Sequence, residues 1–399
     1  MKLFYLARKN IIRKPSLVLP VFLLVFFTTF FVVINSIVFL SMKKGLKLSK
    51  ERLGADVIVV PKGFVSAVDD SLFKGKACTV NFDSGWKDRI SRIDGVAAVS
   101  TQLYVASLGN SPCCEGDAQL IAIDPENDFT VGPWIDEKGL GGMTGDEAVA
   151  GCGFGVKKGE KIKYYGREYT VKAVLDETGM GYDSSIFITF EAAKANKENP
   201  LYSSQFDFVN GDDVISMVLV KKTEDTDTEK LKAEIEKAYG KEGISVYAMS
   251  SLIGEYAKKA ESISFLGHIL EGGIILLAVA GILSVLVLKT VLRRNEIGTM
   301  LSLGWGMKRV IKILLLENTM VFLGGSILGS AFAAAVVFPF TALIKDMLEL
   351  PYCGLGFFEF IRLAGISMAT GALIMSATVS ASLLYFRKRN ITQLVNDIS

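Results

Sequence analysis

Four long runs of apolar residues constrain the fold of this chain more than any other feature. They cover residues 17–42, 263–288, 313–340 and 361–386. A helix needs about 20 mostly apolar residues to cross a bilayer, and it satisfies its own backbone hydrogen bonds there. We therefore predict an α-helical membrane protein with four transmembrane helices. The first run is too long for the core of a signal peptide, and no A-x-A site follows it, which favours a retained anchor.

The distribution of basic residues predicts how the chain is oriented. Loops on the cytoplasmic side of a membrane carry an excess of Lys and Arg. Such residues precede the first run, fill the loop 289–312 and begin the tail 387–399, whereas the loop 341–360 has more acidic than basic residues. We expect both termini and the loop 289–312 in the bacterial cytoplasm, and a chain that crosses the cell membrane several times. Residues 43–262 and the short loop 341–360 then lie outside.

The segment 43–262 has the composition and pattern of a folded α+β domain. It holds 35 acidic and 28 basic residues, a net charge of −7, which suits a domain held off an anionic membrane. At one end, ADVIVV, SGWKDRIS and VAAVSTQLYVA predict a strand, a helix and a strand. At the other end, VISMVLVKK, DTEKLKAEIEKAYG and ISVYAM predict the same order. Together they predict one ferredoxin-like subdomain, a split β-α-β arrangement, interrupted by a small β-rich insertion.

Helical patterns also flank the membrane-spanning runs. Residues 1–16 place apolar side chains on one face and Lys and Arg on the other, which is typical of a helix in the headgroup layer. A simple basic flank is the alternative interpretation. The first run continues outward as a helix to Arg52, and residues 249–265 lead into the second run without a helix breaker. We therefore expect a helical stalk that joins the membrane helices to the outer domain.

Side chains that carry catalysis are scarce. The chain has one histidine and no phosphate-binding G-x-x-x-x-G-K-[ST] loop. We therefore predict no enzyme activity in this chain, no cofactor or metal bound by it, and no nucleic-acid partner. His268 and Glu271 lie one helical turn apart at the outer end of the second run, and they are candidates for contact with a substrate at the outer leaflet. A polar cap at the helix end is the alternative interpretation.

The cysteines of the outer segment permit two interpretations. An oxidising compartment favours structural disulfides, and a thiol-based metal site is the alternative. Adjacent cysteines seldom bridge each other, and five cysteines in total leave at least one thiol unpaired within the chain. The candidates are Cys78, Cys113, Cys114 and Cys152.

The loop 289–312 combines basic residues with apolar ones. A loop that only sets topology would explain the charge, but not the apolar side chains that alternate with it on a predicted helix. Exposed apolar side chains indicate a docking surface for another protein. Gly304 and its neighbour Gly306 allow the turn that returns the chain to the bilayer. The candidate docking residues are Arg293, Arg294, Glu296, Ile297, Met300, Leu301, Leu303, Gly304, Trp305, Lys308 and Arg309.

The stretch RRNEIGTMLSLGWGMKRVIKILLLEN resembles the conserved core of the FtsX/MacB-like (type VII) ABC-transporter permeases. LARKNIIRKPSLVLPVFLLV is similar to the family's start. ERLGADVIVVP and GEKIKYYGREYTVKAVLDETGMGYDSSIFI are similar to its MacB-like core domain on the outer side. The residues that match the family pattern are Arg293, Arg294, Glu296, Ile297, Gly298, Leu303, Gly304, Ile311 and Glu317.

This resemblance implies a mechanism driven from the cytoplasm. Two permeases, identical or paralogous, pair in the membrane, and each binds a separate ATPase subunit through a coupling helix in the loop between the second and third spans. That ATPase holds the ATP and Mg²⁺, and the permease transmits the motion to its outer domain and extrudes a substrate from the outer side. Membrane lipids and an extracytoplasmic accessory protein are further expected partners.

Two other functions fit the same sequence. The chain could regulate a cell-wall hydrolase or sense an extracellular peptide without exporting anything, since the family includes both behaviours. It could also be a membrane-anchored receptor that acts without an ATPase. The adjacent cysteines and the small outer domain depart from the best-known drug exporters of the family, so the substrate is left open.

Overall fold

The computed structural model describes residues 2–107, 118–134, 141–198 and 214–388. Its helices and strands follow the predicted order along the chain. The helices are α1 (Lys2–Arg13), α2 (Pro15–Arg52), α3 (Val65–Lys74), α4 (Gly85–Ser91), α5 (Phe190–Lys197), α6 (Thr228–Tyr239), α7 (Met249–Leu292), α8 (Arg294–Ser302), α9 (Met307–Val337), α10 (Thr341–Leu348) and α11 (Phe357–Lys388). The strands are β1 (Val57–Pro61), β2 (Phe82–Asp83), β3 (Val96–Ala106), β4 (Gln119–Ile123), β5 (Glu147–Ala150), β6 (Lys161–Tyr164), β7 (Arg167–Val174), β8 (Ser185–Thr189), β9 (Val214–Ile215), β10 (Met217–Lys222) and β11 (Ile244–Ala248).

The chain divides into two units. The helix unit contains Met1–Leu40, Ser262–Ala342 and Gly354–Ser399, and the sheet unit contains Ser41–Glu261 and Leu343–Cys353. Helices α2 and α7 each contribute residues to both units. Within the described residues, four helices are long and apolar enough to cross a membrane, and most of their apolar surface is not covered by the protein itself. Such surface is stable only in lipid, so the chain is a membrane protein with four transmembrane helices, as predicted.

The transmembrane helices of the helix unit pack through small and branched residues. Helix α9 approaches α2 closely at Gly329, where an added Cβ would lie 2.6 Å from the backbone oxygen of Phe26. A glycine permits this approach, as is common between transmembrane helices. The buried cluster that joins α2, α7, α9 and α11 contains Val21, Val25, Ile282, Leu286, Val321, Phe322, Met375 and Val379.

The sheet unit is built on one sheet with the strand order β11-β1-β10-β3-β4-β8-β5-β7-β6. Its first four strands are antiparallel to their neighbours, with α4 between β1 and β3 and α6 between β10 and β11. This order confirms the predicted ferredoxin-like subdomain assembled from both ends of the segment. Leu231 and Ile235 are one turn apart on α6 and are fully buried against the sheet, which is the spacing that puts both side chains on one face.

The predicted β-rich insertion is present, and its strands extend the same sheet instead of forming a separate one. Strands β4 and β8 are parallel, and so are β5 and β7. Burial alternates along β6 and β7, as expected when one face of a sheet is covered. The insertion has its own buried cluster, which includes Tyr164, Tyr169 and Val171. The insertion therefore adds a second hydrophobic core beside the ferredoxin-like one.

The short outer loop joins the sheet unit. Leu350, Tyr352 and Cys353 are almost fully buried, and the Tyr352 amide donates to the carbonyl of Gly179 over 3.1 Å. The Lys345 ammonium lies 2.8 Å from a carboxylate oxygen of Asp183. Residues Leu343–Cys353 are thus a packed part of the sheet unit.

Candidate functional site

A cluster of charged side chains lies at the point where α1, α7, α8 and α9 meet. Its centre is Glu317, which is 1% exposed. Glu317 accepts hydrogen bonds from Arg293 Nη1 over 2.7 Å and from Asn10 Nδ2 over 2.6 Å, and Lys289 Nζ lies 3.3 Å away. Hydrogen bonds to charged groups are among the stronger ones in proteins. A buried carboxylate with several donors is therefore well satisfied at this position.

A second carboxylate extends this cluster toward the surface. Glu296, on α8, accepts from Arg293 Nε over 3.1 Å and from the ammonium of Lys14. Arg293 thus bridges Glu296 and Glu317, and Lys14 and Asn10 bring the first helix into the same network. We call Asn10, Lys14, Lys289, Arg293, Glu296 and Glu317 the anchor cluster. Through these contacts α8 is tied to both α1 and α9.

Two of the predicted docking residues bond within the chain. Arg293 is 4% exposed, and its guanidinium bonds to Glu296 and Glu317. Glu296 is partly exposed, but both of its oxygens are engaged. Sequence pattern alone does not place Asn10, Lys14, Lys289 or Glu317 in the site. The sequence signal for this cluster is Glu317, because an acidic residue in an apolar run needs polar partners when it is buried.

Helix α8 ends in a turn that requires glycine. The Trp305 amide donates to the carbonyl of Met300 over 3.1 Å, and Gly304 has a φ of 83°. This is the Schellman arrangement, with a left-handed residue directly after the helix. A side chain at this φ costs about 1–2 kcal/mol. The left-handed backbone at Gly304 is therefore the geometry by which the chain turns after α8.

Apolar side chains are displayed beside this turn. Leu303 is 74% exposed, and Ile297, Met300 and Trp305 are partly exposed. Lys308 and Arg309 are exposed at the start of α9. Arg294 begins α8 and Leu301 lies within it, but their side chains are outside the described ones. We call Ile297, Met300, Leu303, Trp305, Lys308 and Arg309 the turn surface.

The second predicted site, near the middle of α7, has the expected pairing. His268 Nδ1 lies 3.5 Å from Glu271 Oε2, and the same oxygen accepts from Asn35 Nδ2 over 2.7 Å. Glu271 is mostly covered, whereas the side chain of His268 is 57% exposed. The ring of Phe39 contacts the imidazole edge to face at 5.3 Å. These contacts join α2 to α7, which is the arrangement of a polar helix contact, and contact with a substrate stays a prediction.

Of the candidate cysteines, Cys78 and Cys152 are free thiols, and Cys113 and Cys114 lie outside the described residues. Burial raises the pKa of Cys78 to about 11. Burial and the nearby Asp183 carboxylate raise the pKa of Cys152 to about 12. Within the described part of the chain, no group of three His, Cys, Asp or Glu residues is placed to hold a metal ion.

The raised pKa values predict slow alkylation of both thiols. At pH 8 the thiolate fraction of Cys78 is about 100-fold below that of an ordinary cysteine, and the thiolate is the reactive form. We expect iodoacetamide to modify Cys78 about 100-fold and Cys152 about 1,000-fold more slowly than the same residues in the unfolded chain, as followed by mass spectrometry of the peptides. Modification at the unfolded rate would contradict this burial. A failure to react after unfolding without reductant would instead indicate disulfides.

The fold and these contacts define a multi-pass membrane protein. Its helix unit has a charged, exposed turn between α8 and α9, and its sheet unit is a separate folded domain. Residues 269–391 match the FtsX-like permease C-terminal family. This match confirms the predicted FtsX/MacB-like resemblance in the part of the chain that contains α8, α9 and α11.

No curated protein matches this chain. Among solved structures, the extracellular domain of the noncanonic ABC-type transporter YknZ from Gram-positive bacteria is similar with a TM-score of 0.30 and 15% identity. That match covers 48% of this chain and 98% of the YknZ domain.

Proposed function

We propose that this chain is the permease subunit of an ABC-type transporter, and that a separate cytoplasmic ATPase binds it at the turn surface. The observation that carries this proposal is Leu303, an apolar side chain 74% exposed at the tip of a helix-ending turn. A leucine displayed in this way gains free energy when a partner covers it. Trp305 beside it is of the residue type that most often dominates protein interfaces.

The anchor cluster supports a role in transmitting force. A partner that pulls on α8 also pulls on Arg293 and Glu296, which bond to Glu317 on α9 and to Lys14 beside α1. Breaking such buried ion pairs is costly, so α8 would move together with these helices. Motion driven by ATP in the partner would then reach the membrane helices as a displacement of α8.

The remaining steps of the proposal concern the outer domain. Helices α2 and α7 contain residues of both units, which supports their assignment as the stalk between the membrane and a domain outside the cell membrane. The chain would work as a dimer with an identical or paralogous permease, with both termini in the cytoplasm. ATP and Mg²⁺ would be held by the ATPase. The work would be extrusion of a substrate from the outer side.

Replacing Leu303 by Asp tests the docking surface. Because Leu303 is exposed, the variant should fold normally. We expect the amount of ATPase that copurifies with the tagged permease to fall about ten-fold, the loss typical of an interface hot spot. The measurement is mass spectrometry and ATP hydrolysis of complexes purified from the native membrane.

Two controls separate docking from folding. Leu303→Met keeps the apolar volume and should retain the ATPase. Phe64→Asp adds the same charge at an exposed apolar residue of the sheet unit and should also retain it. Recovery of no ATPase with the unmodified chain, or equal recovery with Leu303→Asp, would rule out docking at this surface.

A further inference from the structure

The sheet unit contains a cleft at the junction of its two hydrophobic cores. Strands β4 and β8 are parallel, so their carboxyl ends, at Ile123 and Thr189, lie at the same edge of the sheet. Ligands often bind at such an edge in open sheets with parallel strands. The cleft has a volume of about 550 Å³, which is within the range of ligand sites. Phe190, at its wall, packs against both cores.

The floor and rim of the cleft differ in chemistry. Ile123, Met143 and Ile215 form an apolar floor. The rim is acidic, because it has one lysine, Lys87, and four carboxylates, which are those of Asp88, Asp124, Glu126 and Glu191. Lys87 lies 4.0 Å from Asp124. The other three carboxylates form no ion pair with any residue that the structure describes.

A largely buried threonine also lines the cleft. Thr101, on β3, is 5% exposed, and it lines the cavity. Its hydroxyl has no hydrogen-bond partner among the described residues, whereas the Thr189 hydroxyl accepts from the amide of Ala192. The Thr101 hydroxyl is not sealed from the cleft, so a polar group of a ligand can hydrogen-bond to it in place of water.

We propose that this cleft binds a cationic peptide segment in which a Lys or Arg side chain lies next to an apolar one. The basic side chain would face the rim carboxylates, the apolar side chain would cover the floor, and a peptide N–H or C=O would bond to Thr101. Organic cations fit this rim better than a metal ion, because the described carboxylates are not grouped closely enough to hold one. This site goes beyond the proposed ATPase docking and does not depend on it.

Fluorescence anisotropy of the purified full-length chain in detergent tests this proposal. The probe is a fluorescein-labelled Lys-Phe-Arg amide, and a Glu-Phe-Glu peptide is the charge-reversed comparison. We expect binding of the cationic peptide alone. The Kd should rise about ten-fold in the double variant Asp88→Asn/Glu191→Gln and about five-fold in Thr101→Val.

Matched variants make the outcome specific to the cleft. Thr101→Ser keeps the hydroxyl and should bind like the unmodified chain. Glu236→Gln removes one exposed negative charge on α6, outside the cleft, and should change the Kd by less than about two-fold. No binding of the cationic peptide, or equal affinity in the double variant and the unmodified chain, would overturn the proposal. Neither result would bear on ATPase docking, which is measured at Leu303.

Discussion

Replacing Glu317 by Ala is expected to destabilise the folded chain by about 3–5 kcal/mol. The side chains of Lys289 and Arg293 are each 5% exposed and share this carboxylate. Without it, the buried Lys289 loses its counter-ion, and Arg293 keeps only the partly exposed Glu296. We expect the midpoint of thermal unfolding in detergent to fall by many degrees, with loss of ATPase binding at temperatures where the unmodified chain still binds.

Two comparisons show whether the anchor cluster causes this loss. Glu255→Ala removes an exposed carboxylate from α7 and should change stability by less than about 0.5 kcal/mol. The double variant Glu317→Ala/Arg293→Met removes one of the two buried positive charges and should recover part of the loss, which measures the coupling between the two residues. If Glu317→Ala unfolds at the same midpoint as Glu255→Ala, the cluster does not hold these helices together.

The second large effect is expected at Asp183, in the sheet unit. Its carboxylate is buried, and it accepts from the amide and hydroxyl of Thr178, from the amide of Gly179 and from the ammonium of Lys345, all within 2.9 Å. Asp183→Ala leaves these donors without an acceptor and Lys345 without its counter-ion. We expect a loss of about 3–5 kcal/mol in the free energy of unfolding, together with faster amide exchange over residues 343–353.

Two other substitutions provide comparisons for this loss of stability: one at Lys345, which pairs with Asp183, and one at a surface residue. Lys345→Met leaves the carboxylate with three donors, so we expect a smaller loss of about 1–2 kcal/mol, with exchange that rises mainly in the loop. Asp225→Ala removes an exposed carboxylate and should be nearly neutral. Unchanged exchange of residues 343–353 in Asp183→Ala would show that the loop is held by its buried apolar side chains alone.

Much of the fold was predictable because its signals are local. The period of two along β7 and the spacing of Leu231 and Ile235 on α6 are properties of neighbouring residues, so the pattern indicates the element and its buried face. Pro15 ends one helix, and the next begins there. The ferredoxin-like order followed because two β-α-β units allow few arrangements of four strands.

The anchor cluster was not predicted because its contacts join distant parts of the chain. Asn10 and Glu317 are 307 residues apart, and Lys14 and Glu296 are 282 apart. A positive charge beside a membrane span has the same appearance in the sequence whether it sets topology or forms a buried ion pair. The sequence therefore does not show that Arg293 is buried between two carboxylates.

Local patterns in the sequence are sufficient to assign the class of this protein. A long apolar helix satisfies its own backbone hydrogen bonds in hydrocarbon, and the excess of basic residues predicts the side on which each loop lies. Which charges are exposed and which hold the helices to each other depends on tertiary contacts. The same contacts place Thr101 in an acidic cleft and the loop 343–353 in the sheet unit. Burial and counter-ions depend on residues that meet only after the chain has folded, and no local pattern records them.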